Sequence, residues 1–182
     1  MKYKLMAVEP KMSSSDLTEL LRLLDEASID VWLDGGWGVD ALLGRQTRRH
    51  RDVDIIVSVS AVPKLRQILG RWGFAVKDGT PPNSFVLSNE QGLEVDVHAV
   101  VFDNDGNGVY TMQSGEDWIY PAEGFDGRGT VEGRSVACLS ATTQVLCHAH
   151  GYTPIDKDLR DMELLEQSFG VELPPQLKRS PT

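Results

Sequence analysis

No run of apolar residues approaches the ~20 that a membrane span requires, so no membrane partner is expected. Cysteine is nearly absent: Cys138 and Cys147 are the two, too few for a disulfide framework. Both neighbourhoods read as interior, and buried free thiols in a reducing, cytoplasmic setting follow. Positive charge is short as well, with 18 Lys and Arg against 27 Asp and Glu and a net charge of −9. That balance excludes a broad nucleic-acid surface, which needs a basic face to neutralise phosphates. It suits a cationic small substrate, or carboxylates that hold metal ions. The opening MKYKLMAVEPKMSSS has lysines but no sustained apolar run, so it does not read as a signal peptide. Internal repeats and low-complexity tracts are missing too.

What is present is ordinary for a globular chain: 182 residues, 41% hydrophobic and 25% charged. One domain with a real core is expected over 1–182, its core over about 16–135 and a C-terminal helical part over about 140–170. Leu17, Leu20, Leu21 and Leu24 fall at helical spacing and place a first helix over 15–28. Val31 to Leu33 form a short strand, Gly35-Gly36 break it, and WGVDALLG reads as a short helix ending at Gly44. RDVDIIVSV is a second strand, with Asp52, Asp54 and Ile56 on one face and Val53, Ile55 and Val57 on the other. A helix follows with Pro63 in its first turn, then the strands FAVKD and SFVLSN. LEVDVHAVVF is a strand placing Leu93, Val95, Val97 and Ala99 opposite Glu94, Asp96 and His98. Weak short strands are read near 108–112, 117–120 and 128–137. Ser140 caps a helix over ATTQVLCHAHG, and a last helix carries Leu159, Met162, Leu165 and Phe169 on one stripe. Trp37, Trp72 and Trp118 are read as core, and the tail PPQLKRSPT as frayed. The fold class is α/β (α+β), a mixed sheet flanked by helices with further helices at the C-terminus.

Chemistry concentrates in the carboxylates. Asp52 and Asp54 share a strand face one pleat apart, directly after a basic loop. Two such acids repel, and burying them unpaired is costly. Mg²⁺ is a fitting partner, taking oxygen ligands and keeping water and phosphate oxygens in its other positions. Asp96 sits mid-strand, where Asp is disfavoured. Should the two strands be neighbours, three carboxylates converge in the geometry that holds two divalent ions for in-line displacement at phosphorus. The residues alone leave a second reading open, a solvated edge paired with Arg48, Arg49 and Arg51.

Gly35-Gly36, between a strand and a helix, offers backbone N–H groups beside a helix N-terminus, a ready phosphate site; a plain turn that needs glycine is the alternative. GWGVDA also matches the dinucleotide fingerprint G-x-G-x-x-[GA]. The acids here open the second strand rather than end it, so a nicotinamide cofactor is the poorer reading. Cys147, His148 and His150 do not suggest zinc, since positions i and i+2 of a helix point apart.

Together the glycine pair, the short helix, HRDVD and a later single Asp on a strand resemble the DNA-polymerase-β-like nucleotidyltransferase superfamily. More narrowly, WLDGGWGVDALLGRQTRRHRDVDI, LEVDVH and HAHGYTPIDKDLRDMELL look like the small antibiotic nucleotidyltransferases that modify lincosamides and aminoglycosides. The resemblance covers roughly residues 16–168 and implies a nucleotidyltransferase fold. It also implies that Gly35 and Gly36 contact a triphosphate, that Asp52 and Asp54 hold Mg²⁺, and that Asp96 completes the metal site and acts as general base. Lys157 matches a position where the family often keeps a basic residue near the phosphates; Arg48 and His50 flank the site and are candidates to touch the nucleotide. The superfamily's usual Gly-Ser is Gly-Gly here, as in the antibiotic-modifying subgroup, so a serine hydroxyl contact to phosphate is missing.

The resemblance implies Mg²⁺-dependent transfer of a nucleoside monophosphate, AMP from ATP, to a hydroxyl of a small acceptor such as an aminoglycoside or lincosamide antibiotic; the residues themselves do not exclude GTP as donor. A different class also fits, a regulatory or toxin–antitoxin protein of the same fold acting on a protein partner. The chain is short for a two-domain transferase, which leaves room for a homodimer whose second copy covers the acceptor cleft.

Overall fold

The computed structural model describes residues 12–112, 114–150 and 152–179. Residues 1–11, part of the stretch read as lacking a signal peptide, lie outside these, as do the last three residues of the tail. α1 (Ser14–Glu26) begins where Ser13 Oγ accepts the Asp16 N–H at 3.1 Å and the Asp16 carboxylate accepts the Ser13 N–H at 3.1 Å. This reciprocal capping satisfies donors that a helix start otherwise leaves open. Its four spaced leucines are all buried.

The chain continues through β1 (Trp32–Asp34), α2 (Gly35–Leu43), β2 (Asp52–Ser58) and α3 (Val62–Gly70). Then come β3 (Ala75–Thr80), β4 (Ser84–Ser88), β5 (Glu94–Phe102), β6 (Gly108–Thr111) and β7 (Asp117–Tyr120). The hairpin β8 (Arg128–Val131) and β9 (Arg134–Ala137) precedes α4 (Ala141–His150) and α5 (Asp156–Phe169). The main sheet runs β1-β2-β5-β4-β3, with β6 joined to β5 and β7 to β6. β2 and β5 are parallel and their other neighbours antiparallel, so the mixed α/β sheet expected from sequence is present.

Alternation along the two parallel strands divides their side chains between layers. Val53, Ile55 and Val57 of β2, with Val95, Val97 and Ala99 of β5, join the leucines of α1 and Leu65 and Leu69 of α3 in one buried cluster. On the opposite face Ile56 and Val100 pack with Tyr110, Tyr120, Phe125 and Leu139. A third cluster joins Val39 of α2 to Val145 of α4 and to Met162 and Leu165 of α5. The C-terminal helices are thereby fastened beside α2, the element that follows the glycine pair.

Several expectations need correction. Trp72 is 51% exposed, because α3 ends at Gly70 and Trp72 falls in the turn beyond its buried stripe. Trp37 is buried, whereas Trp118 is half-buried. Phe169 is 47% exposed at the last residue of α5. The tail is not frayed up to residue 179: Pro175–Leu177 form a 3₁₀ turn, and Leu173 and Leu177 are buried against α5. The single strand read over 128–137 is a hairpin, since Glu132 and Gly133 both take positive φ (50° and 78°), the backbone of a tight two-residue turn. Cys138 is buried and Cys147 half-buried, both as free thiols. Burial pushes the Cys138 thiol up to about 12.

Ile56 is fully buried on the site-bearing face of β2. Ile56→Ala is expected to cost about 2–5 kcal/mol in urea unfolding, whereas Trp72→Ala should cost much less. Comparable losses would show that the buried layer is misassigned.

Candidate active site

Strand pairing sets the site. Asp34 of β1 pairs with Asp54 of β2, and Asp54 pairs in register with Asp96 of β5. Paired residues project to the same face of a sheet, so three aspartates form a row across three neighbouring strands. The convergence expected if the two strands were neighbours is therefore present for Asp54 and Asp96. Ligand-type atoms of Asp54, Asp96 and His98 all lie within 4.8 Å of one another. Two carboxylates and an imidazole can hold a divalent cation, the carboxylates being the donors that Mg²⁺ and Mn²⁺ favour. Asp52 lies on the same strand face but is exposed at the strand's start, and it is outside that three-residue group. Sequence alone places His98 only on the face of Asp96; in the structure its nearest link is Nε2 to Asp96 Oδ1, 3.6 Å.

The crowding has an electrostatic signature. Burial pushes the Asp54 carboxyl well above the ordinary range, and the charges of Asp34, Asp52 and Asp96 push it further, while Lys157 works the other way. Burial also raises Asp96, His98 opposes the shift, and Asp52, Asp34 and Asp78 add to it. A nearby cation would relieve this repulsion.

The glycines differ in one respect from the sequence reading. They form the first turn of α2 rather than a break before it, with the Asp34 carboxylate accepting the Gly35 N–H at 2.7 Å. Gly35 has φ +55°, and a Cβ there would overlap the Asp54 carboxylate. A Cβ at Gly36 would overlap the Arg48 guanidinium and the His50 ring. Only glycine lets this turn lie directly under the acids and the basic loop.

The basic loop does not neutralise Asp52 and Asp54 in the way the second reading supposed. Arg48 instead reaches Asp161 of α5, with Nη2 donating at 2.8 Å and Nε at 3.1 Å to the same oxygen. Burial opposes the charge on Arg48, but its bond to Asp161, and the charges of Asp161, Asp40 and Asp158, hold the guanidinium more firmly protonated. His50 Nε2 lies 2.5 Å from Asp40 Oδ2 in the interior, and its ring packs on Trp37 with centroids 4.6 Å apart and the planes tilted by 39°. Asp40 also accepts from the Thr47 N–H at 3.1 Å and the Thr47 hydroxyl at 2.6 Å, which fixes the loop. Arg49 and Arg51 are exposed.

These pieces enclose a cleft of about 510 Å³. It is lined by Gly35, Gly36, Asp52, Asp54 and His98, by Arg48 and His50 of the basic loop, and by His148, Tyr152 and Lys157 of the C-terminal part. Every residue read from sequence as metal- or nucleotide-binding except Asp96 lines this cleft, and Asp96 sits close to Asp54 and His98. His148 Nδ1 donates to the Gln144 carbonyl at 2.8 Å, whereas the His150 ring lies against Trp118. Sequence reasoning missed Asp34, Asp40 and Asp161. An Asp inside the apolar stretch WGVDALL was the available sign of Asp40.

Residues 16–165 match the aminoglycoside-2''-adenylyltransferase family. A lincosamide resistance protein of Staphylococcus haemolyticus is 29% identical over 155 residues, covering 85% of this chain and 95% of that protein. The crystal structure of the lincosamide antibiotic adenylyltransferase LnuA, bound to lincomycin, superposes with a TM-score of 0.75 and 28% identity over 86% of this chain and 98% of that one. ANT(2'')-Ia in complex with adenylyl-2''-tobramycin shares the fold, with a TM-score of 0.67 and 23% identity over 86% of this chain and 89% of that one.

The raised Asp54 pKa has a consequence for stability. A carboxyl raised in the folded state favours the fold below its ordinary pKa of about 3.9, and this contribution is lost as pH rises through the raised value. In EDTA at pH 8, Asp54→Asn should therefore melt above the unsubstituted protein, with the gap closing as pH falls toward 4. Excess Mg²⁺ should raise the melting temperature of the unsubstituted protein alone. An Asp54→Asn protein that melts lower in EDTA at pH 8 would contradict the repulsion described here.

Proposed function

The chain belongs to the aminoglycoside-2''-adenylyltransferase family, and on that premise we propose that it transfers AMP from ATP, with Mg²⁺, to a hydroxyl of a lincosamide or aminoglycoside antibiotic. The observation that carries this reading is the register of Asp54 with Asp96 on adjacent parallel strands, directly above the glycine turn. The relatives named above support the acceptor class. A cytoplasmic site of action follows from the use of ATP, and no helix among the described residues is long and apolar enough to cross a membrane.

The chemistry follows from the placement of side chains. The triphosphate lies along the first turn of α2, where Gly35, its N–H held by the Asp34 carboxylate, lets the phosphates approach, and the Gly36 N–H and the helix N-terminus meet their charge. Arg48, His50 and Lys157 flank it from the basic loop and α5. Asp54 and Asp96, with His98 beside them, would hold Mg²⁺, and Asp52 on the same strand face would add a further carboxylate. Bound there, Mg²⁺ would polarise the phosphoryl oxygens and offset charge on the leaving pyrophosphate. The acceptor hydroxyl oxygen attacks the α-phosphorus, the bond to the bridging oxygen breaks, and Asp96 takes the hydroxyl proton. Burial of Asp96 raises its proton affinity, which brings a carboxylate closer to the working range of a general base. The remaining contribution is alignment of the two substrates in the cleft.

With labelled ATP, Mg²⁺ and a panel of lincosamides and aminoglycosides, label should appear on an antibiotic. Asp96→Asn should lower that transfer by about 10²–10⁴-fold without loss of fold. Transfer at full rate by Asp96→Asn would overturn the role given to Asp96. Label appearing on a protein of a cell lysate, and on no antibiotic, would favour the regulatory or toxin–antitoxin reading instead.

A further inference from the structure

We infer that Asp161 is a positioning residue for the nucleotide: it never reaches the substrate, but aims the Arg48 guanidinium across the glycine turn from the far side of the cleft. The inference rests on the nucleotide-binding reading above and adds to it a residue on a different helix.

The geometry is specific. Asp161 is 1% exposed and accepts from Arg48 Nη2 at 2.8 Å and from Nε at 3.1 and 3.2 Å. A planar guanidinium bonded through Nε and one terminal nitrogen is fixed in both direction and tilt. The fixed group stands over Gly36, where a Cβ would strike the Arg48 guanidinium. Arg48 is thus held at the turn where backbone N–H groups meet a helix N-terminus. One helical turn before Asp161, on the same face of α5, is Lys157, which lines the cleft and whose charge is felt at Asp54. α5 therefore presents two groups to the cleft. Lys157 lines the cleft and its charge reaches Asp54, whereas Asp161 works through a residue 113 positions away in sequence.

A stability role alone explains the pair poorly. Buried ion pairs are often no better for stability than apolar residues of similar volume, and Met162 and Leu165 already fasten α5 to its neighbours. Asp40 makes the parallel arrangement on the other side of the turn, with its carboxylate on His50 Nε2 and the His50 ring over Gly36. Two buried carboxylates on two helices thus seat two basic side chains above one glycine.

The test measures binding of a non-hydrolysable ATP analogue with Mg²⁺ by calorimetry, beside the steady-state constants for ATP and for the antibiotic the enzyme accepts. Asp161→Asn should weaken analogue binding and raise the KM for ATP by about tenfold, the worth of one charge-assisted hydrogen bond, with kcat changing less than KM. Arg48→Gln should do the same. Adding Asp161→Asn to Arg48→Gln should change analogue affinity by less than about twofold, because a residue that acts only through Arg48 has nothing left to aim. Unchanged affinity in Asp161→Asn overturns the inference. So does a further tenfold loss in the double variant relative to Arg48→Gln. Should Asp161→Asn leave Arg48 unpaired and fail to fold, the comparison of Arg48→Gln with the double variant decides alone. An unsubstituted protein that binds no ATP analogue removes the proposed function, and this inference with it.

Discussion

Asp34, Asp54 and Asp96 stand side by side on three hydrogen-bonded strands, where burial and the charges of Asp34 and Asp96 raise the energy of ionising Asp54 between them. The strands cannot escape by sliding. A one-residue slip would move Val53, Ile55 and Val57 out of the core and bring the acids into it. The apolar layer beneath the sheet therefore imposes the register, and the register imposes the repulsion. Burial of those valines and isoleucines prevails over the repulsion, since each contributes about 1.5–3 kcal/mol on leaving water. The site is held in a state that the acids alone would not adopt, which is how functional geometry commonly sits within a stable fold.

Around this row the remaining charges are arranged rather than merely balanced. Arg48 could have lain against Asp52 or Asp54, yet it is tied to Asp161 on α5. His50 is tied to Asp40. Lys157 acts on Asp54 from across the cleft. Among the described residues no basic side chain pairs with Asp54, which together with Asp96 suits a diffusible cation, and Arg48 and His50 stand over Gly36. That separation suits a substrate that is itself an anion carrying divalent ions. The cleft is lined by residues from distant parts of the sequence, and the third apolar cluster, which joins α2 to α4 and α5, holds those parts together.

Much of this is legible in the sequence. β2 and β5 alternate cleanly between apolar and polar residues, so the faces of Asp52, Asp54 and Asp96 can be read from period two alone. Gly35 and Gly36 stand out as a pair at the junction of a strand and a helix, and the structure gives each a side chain that a Cβ would strike. The missed features depend on tertiary placement. Nothing local marks Asp161 as the partner of Arg48, because the pair exists only once α5 lies across the basic loop. His98 is read from sequence as sharing the face of Asp96, with contact to the acceptor or plain solvation as the alternatives, and only the sheet brings it to Asp54. The burial of Leu177 depends likewise on a slot made by Met162 and Leu165. Trp72 misleads in the other direction, since a large aromatic is a good guide to the core only when its helix continues beneath it.

If the carboxylate row exists to hold divalent cations beside a triphosphate, crystals soaked with Mn²⁺ and a non-hydrolysable ATP analogue will show it by anomalous scattering. A peak is expected in contact with both the Asp54 and Asp96 carboxylates, with the phosphates running over Gly35 and Gly36. An ordered analogue in the cleft with no peak touching those two aspartates would contradict that purpose.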